Sequence, residues 1–269
     1  MNKKTMLAIS ALCATVAIQA KADDTLVSSD IVGYNTVTLK KGWNMLAVNF
    51  QQLGETSSIS VQELFPGTTE GLTGGAATTA DQIQIYDATT GGYTTYFLFQ
   101  SPLPIFAAKN GKWVDVGANV TDLSFSNGDV FWYLKRGESD VAINVSGQVS
   151  LQNNQEISIV NGWNMIGNAF PANFNPNALG TTYWQNSGAV AGAATTADQI
   201  QIYDNTVGGY TTYFLFSSPL PIFASKNWQW VDVGANVVAP TAEVMPVGKG
   251  AWYLHRGSGF TLTIPNPTK

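Results

Sequence analysis

The chain of 269 residues is poor in the side chains that most often build metal and catalytic sites. Its one cysteine, Cys13, excludes a disulfide scaffold and cysteine-based zinc or iron–sulfur sites. Its one histidine, His255, excludes a metal site built from several histidines. The sequence therefore predicts no cofactor, no metal centre and no enzymatic activity.

Charged residues are also scarce, at 12% of the chain, which is about half of the roughly 25% usual in soluble proteins. The formal net charge is −5, whereas phosphate binding requires clustered lysine and arginine. We therefore exclude nucleic acid as a partner. Hydrophobic residues make up 45% of the chain and aromatic residues 12%, which is enough for a packed core.

The first 22 residues have the pattern of a secretory signal. Lys3 and Lys4 precede an apolar stretch, residues 6–18, that is too short to span a bilayer, and residues 20–22 form a small-x-small cleavage site. A lipoprotein signal that uses Cys13 is the alternative, which the bulky leucine before it disfavours. Cleavage after residue 22 would leave 10 basic and 18 acidic residues, and no cysteine. We expect an exported bacterial protein, extracellular, at the cell surface or periplasmic, with no transmembrane segment after cleavage.

The sequence contains a long internal repeat. Gly75–Val120 and Gly192–Val237 are identical at 40 of 46 positions, at an offset of 117. Shorter matches flank this repeat at an offset of 120, namely Gly42–Met45 with Gly162–Met165 and Trp132–Gly137 with Trp252–Gly257. We predict two tandem units, residues 23–150 and 151–269. The near identity reflects either a shared binding surface or a recent local duplication, and the copying of bland residues favours the duplication.

The pattern of β-branched and aromatic runs between turn residues predicts an all-β fold, with a β-sandwich or small barrel in each unit. In the first unit, strands are expected near Ile31–Leu39, Trp43–Phe50, Gln82–Tyr86, Tyr93–Phe99, Ile105–Ala107, Lys112–Val116, Val130–Lys135 and Val141–Val145, and at matching positions in the second. Because Tyr93–Phe99 carries no charge, we expect it to be a central strand buried on both faces.

At most one short helix per unit is expected. Ser60 and Glu63 have the spacing of a capping box, and Pro66 ends the helical turn that this box predicts.

Several short motifs resemble those of secreted bacterial β-domain proteins found in Planctomycetes, Verrucomicrobia and Lentisphaerae. The shared features are a Gly-Trp-Asn strand, a Tyr-Asp hairpin with glycines, a Trp-Val-Asp-Val-Gly segment and a closing Gly-x-Gly-aromatic-Trp strand. Val247–Tyr253 matches the closing strand well, whereas Asn127–Trp132 lacks the second glycine. The resemblance covers most of both units and implies an exported surface or envelope location, but no catalytic residues.

Two tryptophans are the candidate ligand-binding residues. Six others occur as matched pairs in strands and are expected in the core: Trp43, Trp113, Trp132, Trp163, Trp230 and Trp252. Trp184 has no counterpart in the first unit, and Trp228 aligns with Gly111. If exposed, such rings can stack on sugars or bury in a protein partner. Local packing is the alternative for both.

Three polar positions are candidates for metal-binding or catalytic residues. Asp87 and Asp204 are weak candidates for Ca²⁺ ligands, and turn chemistry is the alternative for both. His255 aligns with Lys135 and is expected to be a solvated strand residue beside Arg256. No spacing singles out a pair of carboxylates for glycoside hydrolysis.

These observations predict a non-enzymatic, exported structural or adhesive protein of the cell envelope or extracellular space. Its expected partners are itself or other envelope proteins, with exposed strand edges as the contact points. The alternative is a soluble carbohydrate-binding protein that binds extracellular glycan through exposed aromatic residues.

Overall fold

The computed structural model describes residues 31–52, 58–234 and 245–269. The predicted signal segment, residues 1–22, lies outside these residues. The described part of the chain contains 16 strands, two short α-helices and three 3₁₀ turns, and all strand pairs are antiparallel. The expectation of an all-β fold is confirmed.

The elements follow the chain in two similar series. Up to residue 150 they are β1 (Val32–Leu39), β2 (Gly42–Ala47), β3 (Ser58–Ser60), α1 (Val61–Leu64), β4 (Gln82–Asp87), β5 (Gly92–Phe99), β6 (Lys112–Asp115), β7 (Ser124–Ser126), β8 (Val130–Lys135) and β9 (Val141–Gln148). After it they are β10 (Asn154–Ile159), β11 (Gly162–Gly167), α2 (Thr181–Ser187), β12 (Gln199–Asp204), β13 (Gly209–Phe216), β14 (Gln229–Asp232), β15 (Gly250–His255) and β16 (Phe260–Pro265). The 3₁₀ turns are Pro104–Lys109, Pro176–Leu179 and Pro221–Lys226.

Each half of the chain forms a five-stranded sheet with the same strand order. The orders are β2-β8-β4-β5-β6 and β11-β15-β12-β13-β14. The registers also correspond, because Trp43 lies opposite Leu134 and Trp163 lies opposite Leu254. The pairs β1–β9 and β10–β16 form two-stranded ribbons, and β3–β7 forms a third small sheet.

Local sequence explains two of the helical segments. Helix α1 has the predicted capping box, in which the Ser60 side chain accepts from the Glu63 N–H and the Glu63 carboxylate accepts from the Ser60 N–H. The strand predicted near Ile105–Ala107 is wrong, since Pro104 opens a 3₁₀ turn there. Proline fixes φ near the helical value and holds the preceding residue, Leu103, extended.

Two separate cores lie on the inner faces of the five-stranded sheets. In the first half, Trp113 and Tyr133 of the sheet pack with Leu39 and Ile143 of the β1–β9 ribbon and with residues of α1. The corresponding core of the second half includes Trp230 and residues of β10, β16 and α2. Trp113 and Trp230 are fully buried, as the sequence predicts.

The outer faces of the two sheets pack against each other. Because side chains alternate along a strand, Tyr133 points into the inner core while Trp132 points to the outer face, where it clusters with Met45 and Trp252. The closest approaches between the two sheets join β2 to β15 and β8 to β11, whereas β5 and β13 lie away from this contact. Strand β5 is therefore buried only in its second half, and Tyr93 at its start is 49% exposed. The expected burial of both faces is wrong for the first half of this strand.

Candidate aromatic binding site

The structure places Trp184 in the core of the second half. Its side chain has no exposed surface, and its indole N–H donates to the Pro176 carbonyl at 2.8 Å. Its ring contacts Trp230 edge to face, with 5.2 Å between ring centroids, much as Phe65 contacts Trp113 in the first half. Trp184 is therefore a packing residue, and its surface is not accessible to a ligand.

Trp228 lies at a turn and is partly buried against the same core. Its φ of 63° is in the left-handed region, as is the φ of 72° at the aligned Gly111. The Trp228 N–H donates to the Phe216 carbonyl at 2.7 Å. The turn geometry is thus kept although the glycine is lost, and the indole ring covers part of the core surface.

Asp87 and Asp204 both stabilise hairpin turns. Asp87 accepts from the Thr89 N–H and the Thr90 hydroxyl, and these hydrogen bonds lower the pKa of its exposed carboxyl. Asp204 accepts from the Thr206 N–H in the same way. Among the described residues there is no group of three or more acidic, histidine or cysteine side chains that could hold a metal ion.

The expected solvation of His255 is wrong. The ring is buried, its Nδ1 lies 2.8 Å from Asp198 Oδ2, and its Nε2 accepts from the Gly259 N–H. This bonding places the ring hydrogen on Nδ1 and occupies both nitrogens. Asp198 also accepts from the Tyr253 hydroxyl and the Arg256 N–H, so the group is a buried structural network.

Exposed aromatic side chains gather instead where the outer faces of the two sheets diverge. We call this surface the aromatic cleft. It consists of two adjoining pockets of about 270 and 280 Å³ that share Tyr93, Tyr210 and Trp252. The other residues that line it are Trp43, Gln84, Tyr86, Trp132, Trp163, Gln201 and Tyr203.

The aromatic cleft is built from corresponding residues of the two halves. Trp43 packs edge to face on Trp132 at 6.0 Å, and Trp163 packs on Trp252 at 5.9 Å. The halves also cross, because Tyr86 packs on Trp252 at 4.8 Å. The equivalent crossing contact of the second half, between Tyr203 and Trp132, measures 5.0 Å. Edge-to-face contacts of this kind fix ring orientations and are favourable beyond the area that they bury.

Rings at the mouth of the cleft remain partly open to water. Tyr93 is 49%, Tyr210 46% and Trp163 36% exposed. Desolvation raises the pKa of Tyr93, and the nearby Tyr86 and Tyr210 hydroxyls add to this rise. Desolvation likewise raises the pKa of Tyr210. Both phenols therefore stay neutral at physiological pH and can donate or accept hydrogen bonds.

The sequence did not single out this cleft. Trp43 and Trp163 were expected in the core, whereas Trp43 is half-buried and Trp163 lies at the mouth of the cleft. The available signal was the pairing of Tyr86 with Tyr93 across the predicted hairpin, since two tyrosines that lie opposite each other on neighbouring strands mark an aromatic face.

The outer edge of each five-stranded sheet is occupied by a side-chain amide. In β6 the Trp113 N–H donates to Gln62 Oε1, and its carbonyl accepts from Gln62 Nε2 and from the Thr121 N–H. In β14 Asn177 forms the same pair of bonds with the backbone of Trp230. The amides take the backbone groups through which another strand would pair, so these two edges are protected at their centre.

Comparisons with known proteins add no family to this description. No family model, no curated protein and no solved structure matches the chain. Within the described residues, no helix is long and apolar enough to cross a membrane.

Proposed function

We propose that the protein is an exported, non-enzymatic glycan-binding protein whose aromatic cleft lies against sugar rings. The observation that carries this proposal is the exposure of Tyr93, Tyr210 and Trp163 on one concave surface. A sugar ring has an apolar face of C–H groups and an edge of hydroxyl groups. Aromatic rings suit the face, and the amides of Gln84 and Gln201 suit the hydroxyl groups.

The rings of the cleft are held before any ligand arrives. Tyr93 leans on Tyr86 with 5.2 Å between ring centroids, and Tyr210 leans on Tyr203 at the same distance. Both pairs sit on hydrogen-bonded strands rather than on loops. Little side-chain entropy is therefore lost on binding, which favours affinity from a shallow surface.

The export predicted from the first 22 residues, and the resemblance to secreted β-domains, support placing this activity outside the cytoplasm. An adhesive role follows directly, because a glycan-binding surface would attach the protein to a polysaccharide. A structural role through the edges of β6 and β14 has less support, since Gln62 and Asn177 already occupy those edges.

Binding of neutral oligosaccharides tests the proposal. We would titrate the purified exported form with β-1,4-linked hexasaccharides of glucose and of N-acetylglucosamine and measure the heat released. Trp163→Ala and Tyr210→Ala are expected to weaken binding about 10- to 30-fold, which corresponds to about 1.5–2 kcal/mol for a central aromatic contact.

Ile222→Ala is the matched control, because Ile222 is 80% exposed and lies outside the cleft. Its affinity should equal that of the unaltered protein. The proposal fails if neither hexasaccharide binds, or if both cleft variants bind as well as this control.

A further inference from the structure

Two further clefts adjoin the aromatic cleft at corresponding places in the two halves. One has a volume of about 520 Å³ and shares Tyr203 with the aromatic cleft. The other has a volume of about 750 Å³ and shares Tyr86 with it. The two clefts are lined in part by residues that correspond in sequence at an offset of 120. The charged residues of the two linings differ.

The charges of the two clefts have opposite sign. The smaller, which we call the basic cleft, contains Lys40, Lys249 and Asp204, for a net charge of +1. The larger, which we call the acidic cleft, contains Asp129 and Glu156, for a net charge of −2. The position of Lys249 in one cleft is that of Asp129 in the other. The aromatic cleft is therefore nearly symmetric, whereas the two clefts that adjoin it differ in the sign of their charge.

Lys249 is a partly buried ammonium group that forms no direct ion pair with a carboxylate of the described residues. No hydrogen bond or ion pair of its Nζ is present among the described residues. Burial lowers the pKa of Lys249, the charge of Lys40 lowers it further, and Asp204 offsets part of this effect. A partly buried charge that Asp204 offsets only in part costs stability, and a bound anion would reduce that cost.

Lys40 lines the same cleft, and its ammonium group has hydrogens that are not used in a hydrogen bond within the described residues. It gives one hydrogen bond to the Thr206 hydroxyl at 3.0 Å, and an ammonium group has three hydrogens. Asp204 is the carboxylate within the cleft, and it accepts from the Thr206 N–H. Thr38 and Thr211 also line the wall. The cleft thus has two ammonium groups and several threonines around the space that one small anion would occupy.

The walls of the basic cleft are tied together. Asn205 donates through its side chain to the carbonyls of Lys41 and Trp43, so the β12–β13 turn is joined to the start of β2. Ala88 occupies the corresponding position of the other hairpin and has no such donor. These hydrogen bonds therefore fix the position of the basic cleft relative to the end of the aromatic cleft that Trp43 lines.

We propose that the basic cleft is an anion subsite, which binds the carboxylate or sulfate group of an acidic glycan whose sugar rings lie on the aromatic cleft. This inference rests on the proposed function and narrows its ligand class. Because the opposite flank is acidic, an anionic group of the glycan is favoured beside Lys249 and Lys40 and disfavoured beside Asp129 and Glu156. An aromatic surface that is nearly symmetric would thereby bind a directional polymer in one orientation.

Matched acidic and neutral oligosaccharides test the anion subsite. Oligogalacturonate carries a carboxylate on each sugar where its methyl ester carries a neutral ester group. A sulfated glucose oligomer with its unsulfated parent tests sulfate separately. We expect at least one acidic form to bind about tenfold more tightly than its neutral partner. Lys249→Gln and Lys40→Gln should each abolish this preference while leaving the affinity for the neutral partner unchanged.

Lys41→Gln is the matched control, because Lys41 is exposed and paired with Glu138. It should keep the full preference for the acidic form. If the acidic form binds no more tightly than its neutral partner in either pair, the anion subsite is overturned. A preference that survives in Lys249→Gln or in Lys40→Gln would also overturn it. If acidic forms depend on Lys249 but Trp163→Ala changes nothing, the aromatic function fails. If neutral forms depend on Trp163 and charge adds nothing, only the anion subsite fails.

Discussion

Two corresponding tryptophans should respond differently to the same substitution. Trp113 and Trp230 are both fully buried in equivalent strands. The Trp113 indole N–H donates to the Phe65 carbonyl at 2.8 Å, whereas the Trp230 indole N–H is buried without an acceptor among the described residues. Replacement by phenylalanine removes the same ring at both positions but breaks a hydrogen bond at only one of them.

The magnitude follows from the two N–H groups. Trp113→Phe leaves the Phe65 carbonyl without its donor, at a cost of about 1–3 kcal/mol, in addition to the loss of the larger ring. Trp230→Phe also loses the larger ring, but it removes an unpaired buried donor. The removal of this donor offsets about 1–3 kcal/mol of the destabilisation caused by the loss of the ring. We expect Trp113→Phe to be the more destabilising variant by about 2–6 kcal/mol.

Calorimetry and urea unfolding followed by far-ultraviolet circular dichroism measure this difference, and they do not depend on the fluorescence of the replaced residue. The double variant is the control, because the two residues lie in separate cores and their effects should add. Equal destabilisation by the two single variants, or a larger loss from Trp230→Phe, would refute the assignment of the unpaired N–H.

Three further outcomes are expected. Lys249→Met should raise the unfolding temperature at neutral pH without ligand. Because the folded-state pKa of Lys249 lies below 10.5, the stability of the unaltered protein rises with pH as the pH approaches 10.5 from below. The difference in unfolding temperature between the variant and the unaltered protein should therefore shrink over this pH range. Asn205→Ala should cost about 1–2 kcal/mol in urea unfolding, since two carbonyls lose a donor, whereas Ala88→Gly at the corresponding position should cost less than half of that. Gln62→Ala should leave the Trp113 N–H of β6 without its acceptor and increase concentration-dependent association in light scattering, and Asn177→Ala should do the same at Trp230 of β14; unchanged monomers would argue against edge protection.

Sequence patterns predicted those features that depend on neighbours along the chain. The capping box of Ser60 and Glu63 lies within one helical turn, and its bonds form as expected. The turn chemistry of Asp87 likewise involves residues two and three positions away. Alternation of apolar residues was enough to indicate strands, because it reports which residues a pleated sheet can bury.

Features that depend on distant contacts were not predicted. Trp184 has no counterpart by sequence alignment, because Phe65, which contacts the corresponding core tryptophan, lies in a part of the first half that does not align with it. His255 is buried because Asp198, 57 residues earlier, accepts its hydrogen bond. The aromatic cleft exists only when the two halves meet, so no single strand pattern could reveal its mouth at Tyr93 and Tyr210.

The packing of the two outer faces has a consequence for any fragment of the chain. Each half carries Tyr86 or its counterpart Tyr203, which fits against the tryptophan of the other half. A half produced alone would carry both the tyrosine and the tryptophan of such a contact, so it already has everything that a two-fold symmetric pair requires. We expect separated halves to form homodimers through this face. In the connected chain, the contact between the two halves thus resembles a dimer interface within one polypeptide.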